Sequence, residues 1–421
     1  MVYDQQMKIS LAFTRPIVFF LFLFFLSFFQ TLAEELTPLA SKPHWDLLQH
    51  YAKTITAEKL TKDLQEIYVP DGSWRDWITI TPEEAVIQPY PQASSEENIH
   101  LPLASSDADS ASVPRYWKRK SECERLPGQP LAGLKIVLDP GHLGGAWSKM
   151  EERWFRIAKK SKPVEEGTMT FITAQHLAKC LRALGADVKM TRYELGPTTS
   201  LRPTQLRAAA LRELEKEKVK CTPYRLKKME EALFYRVAEI RYRAHWINQV
   251  AKPDLVICMH YDAEEWGNAK HPRLVDEQRL HFLISGDFSK AELMNEDVRY
   301  TMLEKLLGRT HHQVVEISDA VAKAFVADTG LPPFTYHNPA KALPALPDDP
   351  YLWNRNLLAT RLIKAPVIYC EAYVMNDHKV FQRVQLGDYK GRRQVGDKWL
   401  PSIYREYASA VAKGIADYYA K

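Results

Sequence analysis

The chain is poor in cysteine, and its five cysteines include no pair at the CxxC spacing. A metal or redox motif of the CxxC type is therefore excluded. Cys258 and Cys370 lie inside apolar runs, where cysteine is usually a small buried hydrophobic residue. Any disulfide would have to form among Cys123, Cys180 and Cys221.

Neither sign of charge dominates, because 57 Lys and Arg stand against 52 Asp and Glu, a formal net charge of +5. The sequence has no basic run of the kind that binds nucleic acid, so we expect no nucleic-acid partner. A mild positive charge still allows attraction to an anionic envelope polymer. No internal repeat is visible, which excludes a repeat architecture and an array of wall-binding modules.

The sequence also has little in the way of long hydrophobic runs. Its longest uncharged apolar stretch, residues 17–29, has 13 residues and follows Lys8 and Arg15. A membrane-spanning helix needs about 20 residues, whereas this length is typical of a signal peptide, and Thr31 and Ala33 permit cleavage after residue 33. We expect residues 1–33 to be a signal peptide of an exported protein that keeps no stable membrane insertion. An uncleaved anchor is the alternative.

Two regions of different composition follow the leader. Residues 34–87 contain a helical spacing of apolar residues from Trp45 to Ile67 and a short strand from Trp77 to Ile80, which predicts a small α/β region. Residues 88–131 are rich in proline and serine. Such a composition is typical of a linker or of an extended arm that lies on the next domain, and both alternatives stay open.

Residues 132–421 alternate between strand and helix patterns. The first unit is a strand at residues 135–138, an amphipathic helix at 168–184 and a strand at 186–190, which together predict a right-handed parallel unit. The fold class predicted is therefore α/β, with a mainly parallel sheet sandwiched by helices. The remaining predicted elements are strands at 254–260, 280–285 and 366–371 and helices at 314–327 and 401–419.

Three apolar strands of this domain end in residues that can bind a metal or carry a proton. The segments KIVLDPGH, LVICMH and PVIYCE deliver His142, His260 and Glu371. The carboxyl ends of parallel strands meet at one edge of a sheet, where ligands bind. A single histidine at a strand end is more often an ordinary polar residue, but a carboxylate that ends a buried strand is costly unless it is paired or used. Together the three residues indicate a metal site with an acid or base beside it.

The remaining histidines considered lack this context, and we expect them at the surface or in packing. They are His245, His271, His281, His311, His312, His337 and His378.

The order of these motifs resembles a known family. LDPGH at 138–142, a glutamate at the start of the next helix, VKMTR at 188–192, DLVICMH at 254–260 and PVIYCEAYVMN at 366–376 resemble the zinc-dependent N-acetylmuramoyl-L-alanine amidases of bacterial cell-wall remodelling. The resemblance covers about 290 residues. It implies a Zn²⁺ ion bound by His142, Glu166 and His260, with Glu371 as the catalytic glutamate. Counting back from Gly185 favours Glu166 as the carboxylate ligand, and Glu165 is the alternative.

The function implied is hydrolysis of the amide bond between the lactyl group of N-acetylmuramic acid and L-alanine of the peptidoglycan stem peptide. Glu371 would take a proton from the attacking water and pass it to the leaving amine, which requires a pKa above that of a free glutamate. The partners implied are peptidoglycan and, in some family members, an activator protein. The periplasm is the favoured compartment, and full secretion is the alternative. A zinc peptidase acting on the peptide cross-links, and an inactive wall-binding or activator protein, are the other two functions considered.

The sequence departs from the family pattern in three places. The second histidine is followed by Tyr261 and Asp262, where the family usually has a small residue or Asn two positions after the histidine. Two insertions, at about 196–250 and 264–309, are longer than expected. The first is interpreted as a solvated helical hairpin or, alternatively, as a lid or docking surface. The second lies where some relatives carry a helix that blocks the zinc, so either insertion is a candidate for an inhibitory role.

Overall fold

The structure is a computed structural model that describes residues 36–124, 126–268, 271–338 and 341–420. The predicted signal peptide, residues 1–33, lies outside these ranges. Within them, no helix combines the length and the apolar character that a membrane span requires. The strands, numbered in chain order, are β1 (Ile78–Ile80), β2 (Glu84–Ile87), β3 (Ile99–Pro102), β4 (Lys135–Pro140), β5 (Trp154–Phe155), β6 (Val164–Glu165), β7 (Asp187–Met190), β8 (Leu255–Asp262), β9 (Leu280–Ile284), β10 (Leu343–Pro344), β11 (Leu352–Asn354), β12 (Val367–Val374), β13 (Arg393–Val395) and β14 (Lys398–Leu400).

Some α-helices of the described ranges cover the central sheet, and others belong to the two insertions. In chain order they are α1 (Ala57–Asp63), α2 (Glu166–Ala183), α3 (Arg207–Lys216), α4 (Pro223–Ala232), α5 (Glu239–Trp246), α6 (Lys290–Leu293), α7 (Glu296–Leu307), α8 (His311–Thr329), α9 (Leu358–Leu362), α10 (His378–Leu386) and α11 (Ile403–Ala420). Short π-helical segments extend α1 through Tyr68 and connect α4, α5 and the residues up to Ala251.

A seven-stranded sheet in the order β10-β11-β9-β12-β8-β4-β7 forms the centre of the protein. Strands β7, β4, β8 and β12 pair in parallel, β12 and β9 pair antiparallel, β9 and β11 pair in parallel, and β10 is an antiparallel edge strand. This mainly parallel sheet flanked by helices confirms the predicted α/β class. The position of β9 beside β12 was not predicted, because apolar periodicity identifies a strand but not its neighbours.

Helices cover both faces of the sheet, and the alternation of side chains along each strand decides which residues meet them. On one face Ile136 and Ile257 are buried with Leu177 of α2, Phe325 of α8 and Tyr407 of α11. The other face buries a smaller group that includes residues of α5 and of the arm before β4. Its members are Trp117, Val137, Ala244, Ile247, Ala251, Val256, Cys258, Ile363, Ala365 and Val367.

The N-terminal region shares its core with two helices of the second insertion. Strands β1, β2 and β3 form a three-stranded antiparallel sheet, and the apolar side chains of this region pack against α6 and α7. Trp45 Nε1 donates a hydrogen bond of 2.7 Å to Glu296 Oε1 at the start of α7. Strand β3 lies within the proline- and serine-rich stretch 88–131, whose composition gave no sign of a strand.

The two insertions occupy different places. The first forms α3, α4 and α5, and its residues Leu206 and Phe234 are buried against Leu143, the neighbour of His142. The second contributes β9 to the central sheet, while its helices α6 and α7 pack against the N-terminal region. Of its described residues, 264–267 line the cleft described below. All five cysteines lie in the described ranges and are free thiols.

Candidate metal centre

Three separate elements bring His142, Glu166 and His260 to one edge of the sheet. β4 ends at Pro140, and the Gly141 amide donates to the Met259 carbonyl at 3.0 Å, so the chain is still held beside β8 when it reaches His142. His260 lies near the carboxyl end of β8, and Glu166 is the first residue of α2. The structure therefore places together the three residues that the resemblance implied as ligands.

Glu166 lies between the two imidazole rings. Its Oε2 is 3.0 Å from His142 Nε2, and its Oε1 is 3.1 Å from His260 Nδ1. One nitrogen or oxygen atom from each of these residues lies within 4.8 Å of the other two. Glu165 takes no part in this cluster, because its carboxylate accepts a hydrogen bond of 2.7 Å from Thr168 Oγ1. The geometry favours Glu166 over the alternative, Glu165.

A fourth residue, Glu151, holds His142 from behind. Its carboxylate is buried, accepts hydrogen bonds of 2.9–3.0 Å from the Leu143 amide, and lies 3.3 Å from both the Gly144 amide and His142 Nδ1. Because Nδ1 is engaged by Glu151, His142 presents Nε2 to the centre of the cluster. No sequence pattern identifies this residue, since it lies in an irregular loop with no periodic relation to the histidine.

Two buried arginines hold the backbone around His142. Arg192 donates to the carbonyls of Pro140 and Gly141 at 3.3 and 3.2 Å, and Arg243 donates to the carbonyls of Pro140 and His142 at 3.1 Å each. His142 has φ = 60°, a left-handed conformation that is unfavourable for a residue with a side chain. These bonds hold the backbone in that conformation, and Asp139 and Glu239 in turn pair with Arg243.

The electrostatic environment treats the two histidines differently. Burial opposes protonation of His142, but Glu166 and Glu151 outweigh it and raise the pKa of His142 to about 9. Burial lowers the pKa of His260 below its usual value. For Glu166 burial acts in the opposite direction, yet the two imidazoles keep the pKa of its carboxyl group below the ordinary range. The site thus favours an ionised Glu166 carboxylate beside a protonated His142.

Glu371 lies at the same level of the central sheet as His260. On β12 it is directly opposite His260 of β8 and, on its other side, opposite His281 of β9. Burial, together with the carboxylates of Asp262 and Glu166, raises the pKa of Glu371 well above its usual value. A proton on this carboxyl group is therefore retained to higher pH than on a free glutamate, as a general acid or base at this position requires.

These residues open onto a cleft of about 1380 Å³. The side chains of His142 and His260 remain 17% and 15% exposed, so their rings face the cleft although Glu166 behind them is buried. The ring of Tyr369 stacks on His260 with a centroid distance of 4.6 Å and fixes its plane. A cleft of this size accommodates an extended ligand rather than a single small molecule.

The donor set fits a zinc ion. Two imidazole nitrogens and one carboxylate oxygen are the ligands of many catalytic zinc sites, which leave a fourth position open. The contact of Glu151 with the second nitrogen of His142 is the kind of outer contact that orients a metal-binding imidazole. His142, Glu166 and His260 thus form a possible metal site.

No family model and no curated protein matches this sequence. The chain is similar to solved structures of cell-wall amidases. Ami1 of Mycobacterium smegmatis, an N-acetylmuramyl-L-alanine amidase, has 17% identity over 69% of this chain and 98% of its own, with a TM-score of 0.38. The amidase CwlD of Clostridioides difficile, solved in complex with the lipoprotein GerS, has 13% identity over 68% of this chain and 98% of its own, with a TM-score of 0.37. The amidase AmiC2 of Nostoc punctiforme has 11% identity over 69% and 99%, with a TM-score of 0.34. Similarities this weak assign neither family nor activity to this chain.

Proposed function

We propose that this protein is a zinc-dependent N-acetylmuramoyl-L-alanine amidase that acts on peptidoglycan. The observation that carries the proposal is the convergence of His142, Glu166 and His260 beside Glu371 at the mouth of an open cleft. Amide hydrolysis needs a means to polarise the carbonyl, an activated water and a group that protonates the leaving nitrogen. The cluster supplies ligands for the first two requirements, and Glu371 meets the third.

The chain's own residues divide these tasks. His142 Nε2, the Glu166 carboxylate and a His260 ring nitrogen would hold zinc, which supplies a Lewis acid for the carbonyl and acidifies water. The Glu371 carboxylate would accept the proton of the attacking water and transfer it to the nitrogen of L-alanine as the amide bond breaks. Its raised pKa suits this exchange, because a carboxylate with a higher pKa is a stronger base.

The proposal includes export by the predicted signal peptide and action in the periplasm. It also includes peptidoglycan as the polymeric partner, because an open cleft can accommodate part of a long polymer. The lipoprotein in the CwlD structure is a partner of that protein. For this chain, a requirement for an activator protein is decided by whether the isolated enzyme is active.

The test is to load purified residues 34–421 with zinc, incubate them with intact peptidoglycan and analyse the soluble products by mass spectrometry. The expected products are complete stem peptides with a free amino group on L-alanine. The matched control is Glu371→Gln, which keeps the size of the side chain but removes the base and is expected to bind zinc without releasing peptides. Shortened peptides would instead indicate a peptidase, and absence of bound zinc in the wild type would refute the proposal.

The metal part of the proposal has its own matched pair. Glu166→Gln should lower zinc affinity strongly, because it removes the charged ligand, whereas Glu165→Gln should leave it near the wild-type value. Zinc content after dialysis and competition with a chromogenic chelator measure both. Loss of zinc in Glu165→Gln but not in Glu166→Gln would show that the carboxylate ligand has been assigned to the wrong residue.

A further inference from the structure

One wall of the cleft is a strongly basic hairpin. This basic hairpin, residues 149–165, consists of β5, β6 and their flanking residues and contains six Lys and Arg against three Glu. Four of its cations, Lys149, Arg153, Arg156 and Lys159, line the cleft beside the metal centre. Because β6 is followed immediately by Glu166, these charges are tied directly to the metal site.

The acidic residues of the basic hairpin are already engaged elsewhere. Glu151 binds the backbone amides after His142, Glu152 pairs with Lys228 at 3.1 Å, and Glu165 accepts from Thr168. The Arg153 guanidinium is already paired, because its Nε lies 3.2 Å from Glu166 Oε2. Among the described residues, no carboxylate forms an ion pair with Lys149, Arg156 or Lys159. The basic hairpin therefore presents to the cleft a positive charge that the protein itself does not neutralise.

The nearest acidic residues of the cleft do not cancel this charge. Asp262 and Glu264 both pair with Arg279, whose Nε lies 2.5 Å from the Asp262 carboxylate. Glu265 remains as an acidic residue of that loop facing three cations. An anionic group entering the cleft is therefore attracted towards the basic hairpin.

The cations are also held in place. Lys149 Nζ and Arg156 Cζ lie 4.5 and 5.9 Å from the centroid of the Trp154 ring, which holds them by cation–π attraction. At the base of the hairpin, Phe155 is completely buried and packs against Trp266, with a distance of 5.2 Å between the ring centroids.

The other arm of the hairpin is anchored as well. Lys162 exchanges two backbone hydrogen bonds, of 2.7 and 3.0 Å, with the side chain of Gln385 in α10. A charged group that is fixed before a ligand arrives loses little conformational entropy on binding.

We propose that the basic hairpin is the subsite for free carboxylates on the peptide part of the substrate, with Arg156 as the main contact. The inference rests on the proposed function, because it assumes that the scissile amide lies at the metal centre. The planar guanidinium of Arg156 matches a carboxylate with two parallel hydrogen bonds, and Lys149 adds a second positive charge over the same ring. The glycan side of the scissile bond carries no such charge, so the subsite also orients the substrate with its leaving peptide over the hairpin.

The test uses two synthetic muramoyl peptides that differ in one group, a free carboxylate or a carboxamide on the residue after L-alanine. Wild-type enzyme should cleave the acid form with a KM about fivefold lower than the amide form, the fold-change of one exposed ion pair. Arg156→Gln should remove this preference through KM with kcat little changed, and Lys149→Gln should weaken it. The matched control is Arg393→Gln, because Arg393 also lies over an aromatic ring, that of Tyr389 at 4.6 Å, but outside the cleft.

Equal KM values for the two substrates in the wild type, or a preference that survives in Arg156→Gln, would overturn the inference while leaving the amidase assignment intact. If the wild type cleaves neither substrate, the proposed function is judged by its own zinc and product tests, and a binding measurement decides the subsite alone. The released peptide, as acid and as amide, is then titrated into zinc-free protein by calorimetry. Tighter binding of the acid that is lost in Arg156→Gln supports the subsite, and equal binding refutes it.

Discussion

The imidazole of His260 occupies the space that a side chain at residue 141 would need. A Cβ atom built on Gly141 would lie 2.2 Å from His260 Cε1 and 2.5 Å from its Nε2. No real pair of carbon atoms approaches so closely without covalent bonding. The glycine before His142 therefore serves the second histidine of the cluster as well as the turn that presents the first.

Gly141→Ala should displace the His260 ring and weaken zinc binding. We expect zinc affinity to fall by about 10- to 100-fold, the range seen when groups that orient a metal ligand are altered. Chelator competition measures the affinity, and thermal unfolding of the zinc-free protein reports any general loss of stability. Gly391→Ala is the control for backbone strain without a steric clash, since Gly391 has φ = 74°, its Cβ would meet nothing within 4 Å, and it does not line the cleft. Unchanged zinc affinity in Gly141→Ala would show that the ring has room to move.

Glu151→Gln should also lower zinc affinity, because the amide group replaces the anion that binds the Leu143 amide and His142 Nδ1. The expected loss is again about 10-fold or more. Glu152→Gln is the same chemical change at the adjacent position, where the side chain is exposed and pairs only with Lys228. Isothermal titration with zinc compares the two, and similar affinities would mean that Glu151 does not orient the histidine.

The first insertion should support the metal site rather than cover it. Leu206, 6% exposed, packs in the cluster that contains Leu143, whereas Leu211 on the same insertion is 43% exposed. Leu206→Ala should lower the free energy of unfolding by about 2–5 kcal/mol and weaken zinc binding, while Leu211→Ala should change stability by less than about 0.5 kcal/mol. Urea denaturation and chelator competition measure both effects. A rise in hydrolysis in Leu206→Ala would favour an inhibitory lid instead.

Lys305 should make stability depend on pH. It is buried in α7, donates to the Ile363 and Ala365 carbonyls at 2.6 and 3.2 Å, and burial lowers its pKa to about 7. In the unfolded chain the pKa is about 10.4. Between these values the unfolded chain holds a proton that the folded protein does not, so this residue makes folding more favourable as pH rises from 7 to 10, by about 1.4 kcal/mol for each unit of pKa difference.

Lys305→Met removes this dependence. Its free energy of unfolding relative to the wild type should therefore be higher at pH 6, where the charged amine is buried, than at pH 10. Urea denaturation of both proteins with excess chelator at the two pH values provides the comparison, and other titrating groups cancel in the difference. A difference that is the same at both pH values contradicts the prediction.

Short runs of sequence predicted which candidate residues lie together. Each of the three residues lies in the carboxyl half of its apolar strand or just after it, so strand pattern and chain order were enough to predict that His142, His260 and Glu371 meet at one edge. Glu166 was favoured by its distance from the end of its helix, and the predicted helix at 168–184 is found at Glu166–Ala183.

The supporting residues were not predicted, for a physical reason. Glu151, Arg192 and Arg243 act through hydrogen bonds to backbone groups that lie up to 103 residues away in sequence. Such contacts depend on how irregular loops pass one another in space, and no local periodicity encodes them. The same limit applies to β3, because proline content reports on the flexibility of a segment and not on a partner strand elsewhere.

The core shared by the N-terminal region and α7 has a consequence for the order of folding. Trp45 and Glu296 are separated by 251 residues. At synthesis rates of about 5–20 residues per second, the apolar side chains of the first hundred residues wait roughly 10–50 s before their packing partners exist. Until α7 has been made, the N-terminal region lacks part of its own core, and we expect its apolar side chains to stay exposed over this interval.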